Sequence, residues 1–310
     1  MPIETLGRAE FERALNLTTG SLDPRTGELL DKAGLRFRTI APPEQTRLEA
    51  ESERQIERGF SVVGEHRAGI WRDAWQEQLE RFEKAGYALE ALNPAFVLGS
   101  TILRWQGAYV ESVTELFELK FVEIFRDWLF RRFLGDISRL YEFGSGSAFN
   151  VAAFARLFPD TPITALDWAP GAVRIAELLR EKLGMQIYGR RFDFFAPDPS
   201  VDLSGNVGVL TMCALEQTGE RFGVFLDYLL EKRPKRIVHV EPTLELYDPA
   251  SVHDRLAIKY HESRKYLRGL LPALQRLADA RRIRLLSVRR LRFGSRFHEC
   301  YTVLVWEPIG

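Results

Sequence analysis

The chemistry in this sequence gathers around one turn and the acids that follow it. The segment Tyr141-Glu142-Phe143-Gly144-Ser145-Gly146-Ser147-Ala148 joins a short apolar run to a helical one. Glycines here let the backbone bend sharply and approach a ligand with no Cβ in the way. Exposed amides of the following helix favour a ligand's negative end. A dinucleotide fingerprint would need glycine at 149, where the residue is Phe149, and no Gly-Lys-Ser/Thr marks a phosphate loop. Acids close three successive strands instead. Glu142 ends the first, Asp167 follows Gly146 by 21 residues, and Asp193 comes 26 residues later, before Phe194. An acid at Asp167 suits the hydroxyls of a ribose, although it can equally cap the helix that starts at Pro170. Such a ring of carboxylates repels a pyrophosphate and favours a cationic ligand that carries ribose and adenine.

Other candidates lie further along. Met212-Cys213-Ala214-Leu215-Glu216-Gln217 follows a fourth strand, and Glu241 ends a fifth before Pro242. Both Glu216 and Glu241 should face the same crevice. His253 and His261 flank the start of a long helix whose Tyr260, Arg264 and Tyr266 either line a substrate mouth or solvate its surface. His239 reads as a core residue and His298 as a solvated turn residue. Arg104, before a helical stripe, either stacks on Trp105 at the surface or reaches an anionic group in the crevice. The closing arginines (Arg281, Arg282, Arg284, Arg289, Arg290, Arg292 and Arg296) either protect an edge strand or meet a phosphate-bearing partner such as RNA. No set of His, Asp, Glu and Cys has metal-ligand spacing, so no metal is expected.

The elements that must hold these residues divide the chain near 136. Residues 1–60 are mixed, with turn signals at Asp23-Pro24 and Pro42-Pro43. Residues 63–135 read as helical: Trp71, Trp75, Leu79 and Phe82 form one amphipathic stripe, and Val110 to Leu129 another. We therefore expect a mainly helical lid or substrate domain over 1–135 and a catalytic domain over 136–310. In the latter, strands at 139–143, 163–168, 186–195, 207–213 and 237–241 alternate with helices. That alternation demands a doubly wound, mostly parallel α/β sheet. A long helical stretch over 254–281, broken near Gly269 and Pro272, precedes a closing β-hairpin that adds an antiparallel strand, for seven in all.

Composition removes several classes. The 310 residues are 45% hydrophobic, 12% aromatic and 28% charged, which describes a folded globule and not a disordered chain. Lys and Arg together number 43 and Asp and Glu 43, so bulk attraction to nucleic acid or anionic lipid is absent. Two cysteines cannot build a disulfide scaffold. No apolar run spans a bilayer and the first residues lack a signal sequence, so a cytoplasmic protein without membrane attachment is expected.

At its glycine turn the sequence resembles the class I, seven-stranded S-adenosylmethionine-dependent methyltransferases, over about 137–310. Their first motif, an acid before Gly-x-Gly-x-Gly, is matched by Glu142, Gly144 and Gly146, with Ala148 in the third slot. The resemblance implies S-adenosylmethionine as cofactor. It implies that Glu142 holds the methionyl ammonium, Asp167 the ribose with Trp168 against the adenine, and Asp193 the adenine amino group beside Phe194. Cys213 would lie close to the transferred methyl. Arg104 would cap the methionyl carboxylate, since the sheet offers that group few cations. A hydroxyl acceptor would need a base, for which Glu241, Glu216 and His261 are candidates in that order. The expected acceptor is a small molecule, such as a sugar or natural-product intermediate. Two alternatives remain open: an RNA or protein methyltransferase docking through the arginine-rich hairpin, and a non-catalytic scaffold. A homo-oligomer is compatible with the sequence.

Overall fold

The computed structural model describes residues 2–64, 68–99 and 101–309. The first part of the chain runs β1 (Ile3–Thr5), α1 (Arg8–Ala14), α2 (Pro24–Ala33), β2 (Arg36–Thr39), α3 (Pro42–Glu57) and α4 (Ala68–Lys84), then β3 (Ile102–Trp105), β4 (Ala108–Ser112) and α5 (Phe117–Phe133). Local chemistry sets many of these limits. Asp23 accepts the Thr26 amide at the start of α2, Pro24 fills the first helical position, and Gly34 closes the helix at φ 56°.

The second part alternates: β5 (Arg139–Phe143), α6 (Phe149–Leu157), β6 (Ile163–Asp167), α7 (Pro170–Leu183), β7 (Ile187–Arg191), β8 (Val207–Met212), α8 (Gly223–Lys232) and β9 (Arg236–Val240). It ends with α9 (Val252–Arg264), α10 (Leu270–Asp279), β10 (Ile283–Arg289), β11 (Phe293–Gly294) and β12 (Val303–Pro308). Seven strands form one sheet in the order β10-β12-β9-β8-β5-β6-β7, with β12 antiparallel to both neighbours and the rest parallel. Every residue of β8 is buried, as expected for a central strand covered on both faces. The strand order reverses between β5 and β8, which opens a crevice at their carboxyl ends.

A second, five-stranded antiparallel sheet was not foreseen: β1-β2-β4-β3-β11. Strands β3 and β4 form a tight hairpin through Gln106 and Gly107, both at positive φ (51° and 86°), the geometry of a two-residue hairpin turn. The expected helical stripe from Val110 is therefore split. Val110 belongs to β4, and the helix begins after Leu116, whose φ is 55°. The closing hairpin also differs from the expectation. Between β10 and β12 the chain leaves the large sheet, places β11 beside β3, and returns. Helix α5 lies under this junction, with Phe121 against Phe293 at 3.9 Å and Phe125 against Tyr301 at 6.1 Å between ring centres. The long helix breaks at Lys265 (φ 52°) and at Gly269 (φ 93°), the latter as foreseen, whereas Pro272 sits in the first turn of α10, where its missing N–H costs nothing.

Candidate active site

The glycine turn sits at the carboxyl end of β5, where Gly144 and Gly146 both take positive φ (75° and 49°). The third glycine slot is left-handed as well: Ala148 has φ 59°. Asp167 ties this turn to the end of β6, accepting the Gly146 amide on one carboxylate oxygen and the Ala169 amide on the other, each at 2.9 Å. Burial pushes its pKa up to about 6 against those hydrogen bonds. The carboxylate keeps further lone pairs with which it can accept from a ligand.

Glu142 is fully buried. Asn150 donates to its Oε1 at 2.8 Å, and Arg126 donates to the Asn150 Oδ1 at 3.1 Å, so an amide relays a guanidinium to the carboxylate. Its Oε2 has no hydrogen-bond partner, and neither has the buried Ser145 hydroxyl. Desolvation raises Glu142 to about 8. An unpaired buried carboxylate is expensive, and a cation at Oε2 would relieve it. Asn150 and Arg126 were not singled out from sequence; Asn150 in the first turn of α6, facing the acid, was the available signal.

The residues expected on the adenine side lie as follows. Phe194 is half-buried against the space a Cβ on Gly144 would fill, 3.6 Å away, and Ala214 closes the other side of Gly144. Trp168 is half-buried between β6 and α7. Asp193 is exposed and accepts the Phe195 amide at 2.8 Å. Above the turn lies α4. A Cβ on Gly146 would meet the Trp75 ring at 2.7 Å, and one on Gly171, in the first turn of α7, would meet the Trp75 carbonyl at the same distance. Trp71 stacks on Trp75 (5.6 Å, 22° between planes) and its indole N–H donates to the Gln217 side chain at 3.3 Å. The two tryptophans thus cover the glycine turn. Their i, i+4 spacing was legible as an amphipathic stripe, but not what it covers. Residues 65–67, inside the stretch expected to be helical, lie outside the described residues.

On the far side of β8, Cys213 adopts φ 53°, a left-handed conformation that costs a non-glycine about 1–2 kcal/mol. Glu241 holds the turn that follows: its carboxylate accepts the amides of Ala214, Leu215 and Glu216 at 3.1–3.2 Å. It is fully buried, with desolvation raising it to about 7. This makes Glu241 a clamp more than a free base. Glu216 is buried and accepts from the Gln217 amide at 2.8 Å. His261 is buried, its Nε2 3.1 Å from His298 Nδ1, and burial lowers it to about 3. His298, expected to be solvated, is buried instead, and its Nε2 lies 3.4 Å from Cys300 Sγ. The reason is the β11 excursion, which folds His298 under α9. Beside it, Tyr301 donates to Glu118 Oε1 at 2.8 Å, while Glu118 Oε2 has no partner and burial raises this acid to about 7. Sequence reading missed Glu118, which looks like one more charge in the first turn of α5.

Arg104 does not join the glycine turn. It is fully buried, donates to the His253 carbonyl on α9, and lies over the Tyr109 ring. Tyr260 and Tyr266 pack with Arg264, which donates to the Tyr266 hydroxyl at 2.9 Å. Several closing arginines are engaged within the molecule: Arg290 with Asp254 and Glu299, Arg296 with Glu51, Arg289 with the Leu15 and Asn16 carbonyls. Among the described residues no cluster of three or more potential metal ligands occurs, and no helix is long and apolar enough to cross a membrane.

No protein-family model matches the sequence, and no curated protein does either. Among solved structures, the [4+2]-cyclase SpnF is similar over 81% of this chain and 99% of its own, at 14% identity and a TM-score of 0.52. The chain has the class I methyltransferase fold. Lesser overlaps are found with the dimethyltransferase RosA of Streptomyces davawensis (14% identity, 62% of this chain and 56% of that one, TM-score 0.45) and a SAM-dependent methyltransferase of Aquifex aeolicus (15%, 59% and 89%, TM-score 0.42). The chain thus spans about half the length of RosA. A class I methyltransferase fold does not fix the reaction, as a cyclase with that fold shows, so function rests on the site.

Proposed function

We propose that this protein binds S-adenosylmethionine at the glycine turn and transfers its methyl group to a small molecule. The observation that carries the reading is the unpartnered Oε2 of buried Glu142, beside the glycine turn and within electrostatic reach of Asp167. Glu142 would hold the ammonium, Asp167 the ribose, and Phe194 with Trp168 the adenine. When bound, the cofactor supplies an electrophilic methyl for in-line displacement. The chain's own contribution is alignment and exclusion of water, which the α4 tryptophans and the N-terminal sheet can provide. For an acceptor that must lose a proton, Glu118 has an unpartnered oxygen and a pKa near neutrality, the properties a base requires. Glu216, within electrostatic reach of Cys213, is the next candidate, while His261, lowered to about 3, is a weak base.

Calorimetric titration with S-adenosylmethionine and S-adenosylhomocysteine tests this reading. Micromolar binding that weakens about tenfold or more in Glu142→Gln is expected, the loss of one charge-assisted contact. No binding of either compound to the wild type would refute it. A second reading has one observation in its favour: Trp75 sits on Gly146, as it would in a fold kept without turnover. That protein would ignore both compounds even after Trp75→Ala.

A further inference from the structure

Arg104 is a buried cation with most of its hydrogen-bonding capacity unmet. Its Nη2 donates to the His253 carbonyl, but Nε and Nη1 have no partner although the side chain is fully buried. His253 is 3% exposed with both ring nitrogens unpartnered, and the Nδ1 of buried His261 is unpartnered too. Both imidazoles lie within electrostatic reach of Arg104, whose charge helps keep them neutral. Three acids lie within electrostatic reach of Arg104: Asp254 and Glu299, held by Arg290 at 2.7 and 2.5 Å, and the half-buried Glu49 on α3. Two guanidinium nitrogens and three imidazole nitrogens left unpaired in one buried place are costly, unless a ligand pairs with them.

The surroundings say where this place belongs. From His261 the contacts run through His298 to Cys300, whose carbonyl meets the Cys213 thiol at the end of β8. The cluster therefore adjoins the acceptor side of the crevice, past β9, and not the adenosine side at β5 to β7. A dianion would face Asp254 and Glu299 and is disfavoured. A monoanion suits one guanidinium backed by neutral imidazoles that can turn a proton towards it.

We propose that Arg104, with His253 and His261, recognises a carboxylate on the acceptor substrate. The inference deepens the methyltransferase reading and rests on it for the word substrate. It replaces the expected contact of Arg104 with the methionyl carboxylate.

The test uses the full chain, with benzoate, benzamide and phenyl phosphate as probes, read by calorimetry and thermal melting. Benzoate should bind about tenfold or more tighter than benzamide and tighter than phenyl phosphate, and raise the melting midpoint. In Arg104→Met the benzoate response should vanish while the unliganded midpoint holds or rises, since a buried charge with unmet donors has gone. In His253→Phe, which keeps the bulk, benzoate binding should weaken, and this variant decides the matter should Arg104→Met fail to fold. The proposal is overturned if benzoate and benzamide bind alike, if phenyl phosphate binds best, or if neither variant changes the benzoate affinity. Titration of S-adenosylmethionine into the same samples separates the two ideas. Benzoate binding without cofactor binding sinks the methyltransferase reading and keeps the anion site; the reverse sinks the anion site alone.

Discussion

Ala148 shows how one side chain can sit against its backbone. At φ 59° it occupies a left-handed position that glycine takes without strain. Ala148→Gly should therefore raise stability by about 0.5–1 kcal/mol, seen as a higher denaturant midpoint with unchanged slope. Glu241 should respond in the opposite sense. Glu241→Gln keeps the shape but replaces an acceptor of three amides with a group that can accept on only one side, so roughly 1–3 kcal/mol should be lost. Glu142 gives a pH signature. With a pKa of about 8 it is largely protonated at neutral pH and must lose that proton to pair with a cation. Affinity for S-adenosylmethionine should thus rise with pH from 6 towards 8 and level off above it. A flat profile, or the same rise in Glu142→Gln, would show that another group governs it.

At the scale of elements, α4 is the cover of the glycine turn. Leu79 and Phe82 anchor it in the core, Gln78 and Arg81 bond the Ala91 and Asn93 carbonyls, and Trp75 lies directly on Gly146 and Gly171. Trp75→Ala should speed cofactor association severalfold in stopped-flow fluorescence and increase amide exchange along α4. Slower association would make Trp75 part of the binding surface instead. The β11 excursion matters in the same way. By pairing with β3 it fastens the N-terminal sheet to the large sheet and turns His298 inward.

Across the whole molecule, buried titratable groups oppose one another. Glu142, Glu118, Glu241 and Asp167 have raised pKa values of about 8, 7, 7 and 6. The folded chain binds protons there that the unfolded chain has released. Their contribution is complete below about 4 and is lost as pH rises through 6 to 8. His239, His253 and His261, lowered to about 3, act in the other direction: their contribution is present above about 6.5 and is lost as pH falls through 3. With His298, which burial also pushes well down, four histidines oppose four acids, and the two sets largely offset between roughly 4.5 and 6.5. Melting temperature against pH should show a plateau there with a decline towards 8, and Glu142→Gln should flatten that decline.

Short-range chemistry is what the sequence by itself determined. The turn Glu142 to Ala148, the acids at the strand ends, and the alternation that forces a parallel sheet all depend on neighbours within a few residues. The break of the long helix at Gly269 was legible for the same reason. Only the tertiary structure decided which groups share a space. β11, at Phe293 and Gly294, is too short to have a period, and its partner β3 lies far away in the chain. No local pattern marks Glu118 as buried beside Tyr301, Trp75 as the cover of Gly146, or Arg104 as a buried guanidinium with two nitrogens unpaired. Burial and pairing across long loops follow from how the two sheets pack, and that packing sets the pKa values on which any chemistry here depends.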